Sequence, residues 1–430
     1  MNPDNPTTRV ATGSPPMPFL DFTRGGGRAA LLWHSRPNLP ALGLASLFQD
    51  RFGSQPTLLV RAPGRVNLMG EHIDYAHCPV LPFAIDRGVD VAAAPTESGG
   101  VTAHSLQYPK EGTWRRYLDA AVVVSRFQGH ASLLVGGNLP PEGGLSSSSA
   151  LTLALLQALF ALAGERPGAD DLVRLAVRAE RIAAVAGGEM DQTVITRARA
   201  GHALHIRFHP SSLTPIPLPP GFSFVVGWSG QPSPKGGASK DLYHRMVVSA
   251  RTAAALAAVA VGEDAGNPPA IGRLSAFSPS NLPVETTPGD AADMTGVPLE
   301  ALVGVGKGAL SADTALPVRA MACHIQTESL RVSEAVDALK SGHGEALGTL
   351  MDASHASLCG LGVATTGLDR VVSSMRRAGA WGARLTGAGF GGFALSVASP
   401  DISSAVAREA TKATGGPAFV VEAVDGIFPL

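Results

Sequence analysis

Residues 143–156 read GGLSSSSALTLALL: two glycines and a leucine, four serines, then a long apolar run. The run predicts a helix from about Ser147 to Ala163, stopped by Gly164. Any fold for this chain must therefore deliver a glycine-rich loop onto a helix that starts in serine. Serine is a poor residue inside a helix and a good one at its start, yet one N-cap needs only one. Glycines let a backbone approach a ligand and adopt positive φ. A helix N-terminus adds unpaired N–H groups and the positive end of a dipole. Together these make an anion site, most often for phosphate. The serine hydroxyls of such a loop can donate to phosphates or ligate a metal bound to them. The bland alternative is an over-capped helix after a Pro-Gly loop, and this stretch alone does not choose between the two.

The bulk of the chain narrows the classes. It has 430 residues, 45% of them hydrophobic, and a formal net charge of −1. That is material for roughly two or three domains. A near-neutral chain lacks the basic stripe of a nucleic-acid binder, so no nucleic-acid partner is expected. No run of about 18 uninterrupted apolar residues marks a membrane span, and no membrane partner is expected either. The Pro-rich start, MNPDNPTTRVATGSPPMP, is no signal peptide and reads as a disordered tail over residues 1–20. Cys78, Cys323 and Cys359 are odd in number and far apart. They predict neither a disulfide framework nor a zinc site, and a reducing cytoplasm is the default location.

Strand patterns appear at residues 57–70, turning at Pro63-Gly64, and at 79–95, with a turn near Asp86–Gly88. Others follow at 131–139, 203–208, 222–228, on both sides of the glycines in ARLTGAGFGGFALSVA, and at 418–424. Helical spacing marks Asp170 to about Ala186, broken by Gly187-Gly188, then Lys240 to about Val261, 317–353 and Leu368–Ala378. Residues 262–316 read as loops and short helices. Strands and helices mix without βαβ alternation, which predicts an α+β fold rather than a doubly wound sheet. The run HPSSLTPIPLPPG places a domain boundary near residue 210, giving units of 21–210 and 211–430.

Competing motifs fail on their own terms. VGVGKGAL has Gly308 where a Walker A loop needs Ser or Thr. Gly144-Leu-Ser-Ser-Ser148 breaks the nucleophile elbow at its last position. Gly387-Ala-Gly389-Phe-Gly-Gly392 satisfies G-x-G-x-x-G, but a strand follows where a dinucleotide site needs a helix. Two further stretches carry chemistry. In RAPGRVNLMGEHIDY (61–75), Arg65, Glu71, His72 and Asp74 crowd a Gly/Pro-rich loop with donors and acceptors suited to sugar hydroxyls. In GGEMDQ (187–192), Asp191 is a general base or a helix cap, and in isolation the cap is favoured.

Taken together and in this order, the three stretches resemble the GHMP kinases, and most closely their galactokinase family. GRVNLMGEHIDY follows that family's first signature nearly letter for letter, PPEGGLSSSSA is similar to its phosphate loop, GEMDQ to its GIMDQ, and Thr386–Gly392 to its TGxGFGG. SHASL (354–358) and the closing VVEAVDG are similar too, so the likeness runs from about residue 57 to 425. The resemblance implies a two-domain α+β GHMP fold with the site in the cleft between domains. It implies ATP, Mg²⁺ and a small-molecule sugar phosphorylated on its anomeric hydroxyl by a monomer or weak homodimer. Gly143, Gly144, Leu145, Ser146, Ser147, Ser148 and Ser149 would wrap the ATP phosphates. Ser147 and Glu180 would bind Mg²⁺. Asp191 would accept the C1 hydroxyl proton, with Arg65 beside it stabilising charge. Glu71, His72, Asp74, Gly188 and Tyr243 would hold the sugar.

Several positions depart from the family pattern. Glu142 replaces the first glycine of the phosphate loop, setting a carboxylate where phosphates should lie. Ala76-His77-Cys78 replaces Asn-Gly-Gly, making His77 and Cys78 candidates for an altered sugar pocket. Glu189 replaces an apolar residue beside Asp191, and CGLGVATTGLDR (359–370) lacks the family's Asp-Asp-x-Glu-Val. Galactose leads as the sugar, with arabinose, galacturonate or an N-acetylated hexosamine such as N-acetylgalactosamine behind it. A sugar sensor without turnover is the contrasting reading; Arg65 and Asp191 argue against it, since a sensor needs no matched base and cation.

Overall fold

A computed structural model describes residues 41–108, 111–183, 188–233, 238–304 and 310–428. The N-terminal tail, Gly187 of the glycine break and residues 305–309 of VGVGKGAL lie outside the described residues. The architecture is α+β, with two four-stranded sheets and a hairpin among the described residues.

The first sheet has the order β1-β2-β4-β3, from β1 (Leu58–Asn67), β2 (Pro82–Pro95), β3 (Val101–Ser105) and β4 (Ala131–Gly137). Helix α1 (Ala41–Phe52) sets Leu44 and Phe48 against Ala92, Ala94 and Leu134. Helices α2 (Glu111–Ser125), α3 (Ser147–Leu162), α4 (Ala169–Ile182) and α5 (Met190–Arg197) complete this half. The run LTLALLQALFAL has no polar stripe, so α3 cannot lie at a surface. It is buried from Ser147 to Leu156, packed on β1 and β2 and flanked by α2, α4 and α5.

The predicted turns at Pro63-Gly64 and Asp86–Gly88 are a single β-bulge. Strands β1 and β2 run on through it, and the register slips from Pro63 opposite Gly88 to Gly64 opposite Ile85. Glycine and proline mark a bulge as readily as a turn. A side chain at Gly64 would strike Leu139 and the Leu145 carbonyl, so the bulge brings β1 against the phosphate loop.

Strands β5 (His202–Phe208) and β6 (Ser211–Pro217) form the hairpin, with position 210 in its turn. The second sheet has the order β10-β7-β9-β8, all antiparallel, from β7 (Ser223–Trp228), β8 (Gly382–Leu385), β9 (Phe393–Ala398) and β10 (Ala418–Val421). Helices α6 (Ala238–Ala260), α7 (Pro288–Thr295), α8 (Leu299–Val303), α9 (Val318–Ser341), α10 (Gly344–Gly360), α11 (Thr366–Arg377) and α12 (Pro400–Thr414) belong to this half. Helix α10 lies so close to β8 that a Cβ on Gly382 would sit 2.0 Å from the Gly348 carbonyl. The C-terminal stretch then returns to the first half: Ala423 bridges Ile85, and Gly426, Ile427 and Phe428 donate to carbonyls of Ala198, Ile195 and Thr196.

Candidate active site

Arg65 and Asp191, 126 residues apart, meet where β1, α5 and the phosphate loop converge. The buried guanidinium donates from Nε to Asp191 Oδ1 at 2.7 Å, and a second nitrogen lies 2.6 Å from the same oxygen. Its third nitrogen donates to the Gly144 carbonyl at 2.7 Å, and its backbone N–H to Leu145. One cation thus joins Asp191 to the glycine-rich loop before α3. Asp191 is no helix cap: Glu189 takes that position, and Asp191 is the second residue of α5.

The serines do not cap the helix with their side chains. Ser146 occupies the N-cap of α3 in the left-handed region (φ 62°) and makes no capping bond. The Oγ atoms of Ser146 and Ser149 are buried with no hydrogen-bond partner among the described residues. Such hydroxyls are costly unless a ligand meets them. The over-capped-helix reading therefore fails on the geometry. Glu142 is exposed and holds the left-handed conformation (φ 56°) that a glycine would take, with its carbonyl accepting from Ser233.

The sugar loop folds over the same pair. Asp74 lies against Gly188, where a Cβ would fall 2.1 Å from Asp74 Oδ2. Burial, reinforced by the charge of Asp191, raises the Asp74 carboxyl to about 7. His72, at φ 57°, donates Nε2–H to the Ala388 carbonyl at 2.9 Å. Burial lowers its imidazole to about 4, so the ring is neutral at pH 7 with Nδ1 an acceptor. That Nδ1 is buried and has no partner among the described residues. Tyr243, near the start of α6, sets its ring 5.7 Å from His72 and 5.8 Å from Tyr75. Burial, then the nearby carboxylates led by Asp74, holds the Tyr243 phenol well above its ordinary range.

Glu71 sits deeper. Its Oε1 accepts from the Gly387 N–H at 2.6 Å and the Thr386 hydroxyl at 3.3 Å, and lies 3.5 Å from Arg384. Arg384 and Glu328, both fully buried, complete a network that sequence reasoning missed. Burial pushes Glu328 up, but Arg384, His324 and Arg331 outweigh it and bring the carboxyl down to about 2. Glu328 also accepts from the Gly70 N–H and the Ser354 hydroxyl. The network thereby ties the sugar loop to the turn at Thr386–Gly392. Its one sequence signal was an arginine in the buried strand GARL.

Glu180 is buried on α4, which packs against both α3 and α5. His77 and Cys78 are not gathered round Arg65. His77 is exposed and its ring packs on Phe208 and His209, while Cys78 is buried with its thiol donating to the Ala76 carbonyl at 3.8 Å.

Residues 46–95 match the galactokinase galactose-binding signature, 113–199 the GHMP kinases N terminal domain and 335–415 the GHMP kinases C terminal domain. The chain is 31% identical over 376 residues to the galactokinase of Roseiflexus sp. (strain RS-1), covering 82% of this chain and 86% of that protein. It is 32% identical over 377 residues to the galactokinase of Chloroflexus aggregans, covering 81% and 86%. The crystal structure of Lactococcus lactis galactokinase complexed with galactose superposes with a TM-score of 0.70 at 25% identity, covering 90% of this chain and 98% of that one. Mevalonate kinase of L. major shares the fold, with a TM-score of 0.59 at 18% identity over 86% and 98% of the two chains. The fold is that of a GHMP kinase. Within that class the chain belongs to the galactokinase family and is a sugar kinase. No helix among the described residues is long and apolar enough to cross a membrane.

Proposed function

We propose that this chain transfers the γ-phosphoryl group of ATP to the anomeric hydroxyl of galactose. The observation that carries the reading is the Arg65 guanidinium, bound at once to Asp191 and to the Gly144 carbonyl. A hydroxyl held at Asp191 then faces a phosphate held by the loop.

Asp191 accepts the C1 hydroxyl proton as the sugar oxygen attacks phosphorus. Arg65 remains beside the carboxylate and counters charge on the transferring group. The neutral His72 accepts a sugar hydroxyl at Nδ1, and Asp74 accepts another beside the Gly188 backbone. Glu71 offers its second oxygen, Oε2, while Oε1 keeps the Thr386–Gly387 turn in place. Tyr243 closes the pocket with an aromatic wall and a protonated phenol. Gly143, Gly144 and Leu145 shape the phosphate loop. The hydroxyls of Ser146 to Ser149 and the N-terminus of α3 receive the phosphates. The Ser147 hydroxyl and the buried Glu180 carboxylate are hard oxygen donors and fit Mg²⁺. When bound, that ion neutralises phosphate charge.

The test is ADP release from Mg-ATP with galactose, arabinose, galacturonate, N-acetylgalactosamine and glucose. Galactose should give the highest kcat/KM. Asp191→Asn should lower kcat by about 10²–10⁴-fold with ATP affinity nearly unchanged. Near-native turnover in that variant would remove Asp191 from the mechanism; turnover on another sugar alone would replace galactose and keep the base.

A further inference from the structure

The segment 359–370, where the chain departs from its family, carries side chains that phosphoryl transfer does not use. His355 and Cys359 stand four residues apart on α10, and so on one face. Asp369 lies in the first turn of α11 and reaches both: Oδ1 is 3.2 Å from His355 Nε2 and 3.5 Å from Cys359 Sγ. All three donor atoms fall within 4.8 Å of one another. A tetrahedral zinc ion, with bonds of about 2.0 Å to nitrogen or oxygen and about 2.3 Å to sulfur, spaces its donors about 3.3 and 3.5 Å apart. Two edges of that tetrahedron are already present. Cys359 and Asp369 are exposed, so an ion can reach them from solvent. The mixed nitrogen, sulfur and oxygen set favours a borderline cation over Mg²⁺.

The cluster also backs onto the active site. His355 Nδ1 accepts from the Leu385 N–H at 3.4 Å, and Leu385 leads directly into Thr386 and Gly387. The loop that follows Cys359 supplies the Val363 carbonyl, which accepts the Phe390 N–H at 2.8 Å. A metal on His355 Nε2 moves the ring proton to Nδ1, where it meets the Leu385 N–H. Two donors then face each other and must part, which displaces the strand that feeds the glycine turn. We propose that His355, Cys359 and Asp369 form an inhibitory site for a zinc-class divalent cation, acting through Leu385 and Val363 on the Thr386–Gly392 turn.

Binding replaces the Cys359 thiol proton with the metal and releases that proton to solvent. The full-length protein is titrated with Co²⁺ and with Zn²⁺, alone and during turnover at saturating Mg-ATP and sugar. One equivalent of Co²⁺ should give thiolate-to-cobalt charge-transfer absorption, absent in Cys359→Ala. Affinity for Zn²⁺ should fall at least tenfold in Cys359→Ala and in Asp369→Asn. One equivalent of Zn²⁺ should lower turnover at least threefold, reversed by a chelator, with no such loss in Cys359→Ala. Absence of the cobalt band would overturn the site. The band without loss of turnover, or equal inhibition of Cys359→Ala, would overturn its action on the glycine turn. The cobalt band does not depend on which sugar is phosphorylated.

Discussion

Two glycine-rich loops face each other in this molecule, and they differ in what they do with their amides. The phosphate loop binds the protein through carbonyls: Glu142 accepts from Ser233, Gly143 from Phe393, and Gly144 and Leu145 from Arg65. The turn at Thr386–Gly392 uses amides and carbonyls alike: Gly387 donates to Glu71, Phe390 to Val363 and Gly392 to Gln231, while the Ala388 carbonyl accepts from His72 and that of Gly389 from Ser233. They also interlock, since a Cβ on Gly387 would lie 2.5 Å from the Gly144 carbonyl and one on Gly392 2.5 Å from that of Gly143. An anion site needs N–H groups and hydroxyls left over for the ligand. The first loop engages the protein through acceptors and keeps its N–H groups; the second commits N–H groups as well as carbonyls to the protein and becomes a bracket. The G-x-G-x-x-G pattern is therefore less suited to an anion than the loop at residues 143–146.

Substitutions on the two loops separate cradle from bracket. Ser147→Ala should lower kcat/KM for ATP on the order of 10²-fold. Its thermal midpoint should stay within about 1 °C of native, since the hydroxyl supports a ligand rather than the fold. Gly387→Ala should behave in the opposite sense. At φ 83° and against the Gly144 carbonyl, the added methyl should cost about 1–3 kcal/mol, read as a lower midpoint in thermal or urea unfolding. A Gly387→Ala protein with native stability and a pure ATP defect would erase the distinction.

The same contrast explains what the sequence could disclose. The glycine-serine loop and its helix were legible because their parts are contiguous, occupying residues 143 to 162. Arg65 and Asp191 were legible through their motifs, although only the fold shows them touching. The bulge at Gly64 was read as a turn, because both use the same residues and only the partner strand tells them apart. Strand β6 was hidden by Pro215 and Pro217, which a two-stranded edge tolerates. The Arg384–Glu328 pair left only the arginine in GARL as a trace, and the pairing itself was not legible. Its members lie 3.5 Å apart on a strand and a helix from separate parts of the chain, and neither local pattern names the other.

Asp74 sharpens the comparison from the sugar side, because its carboxyl is held at about 7 by burial and by Asp191. Unfolded, an aspartate titrates near 3.9. Between about pH 4 and pH 7 the folded protein therefore holds the extra proton, and this group makes stability fall as pH rises through that window. Asp74→Asn should raise the thermal midpoint at pH 8, on the order of 1–3 °C, and change it little at pH 4. The same variant should raise KM for the sugar severalfold while KM for ATP stays native. An equal rise in both constants would place Asp74 in the architecture common to both sites rather than at the sugar.

Glu142 should give the smallest effect, and its size follows from its position. The residue keeps the left-handed backbone of the glycine it replaces, and its side chain is exposed. Glu142→Gly therefore removes a modest conformational strain but loosens the unfolded chain, two effects of similar size and opposite sign. Stability should change by less than about 0.5 kcal/mol. What remains is a solvated negative charge near the phosphate site, whose repulsion of ATP fades beyond a Debye length of about 10 Å at 0.1 M salt. KM for ATP should thus fall about twofold to threefold in the variant at low ionic strength and match native at 0.5 M salt. A salt-independent gain of tenfold or more would mean that the carboxylate turns inward to the phosphates, and the exposed placement of Glu142 would not describe the working enzyme.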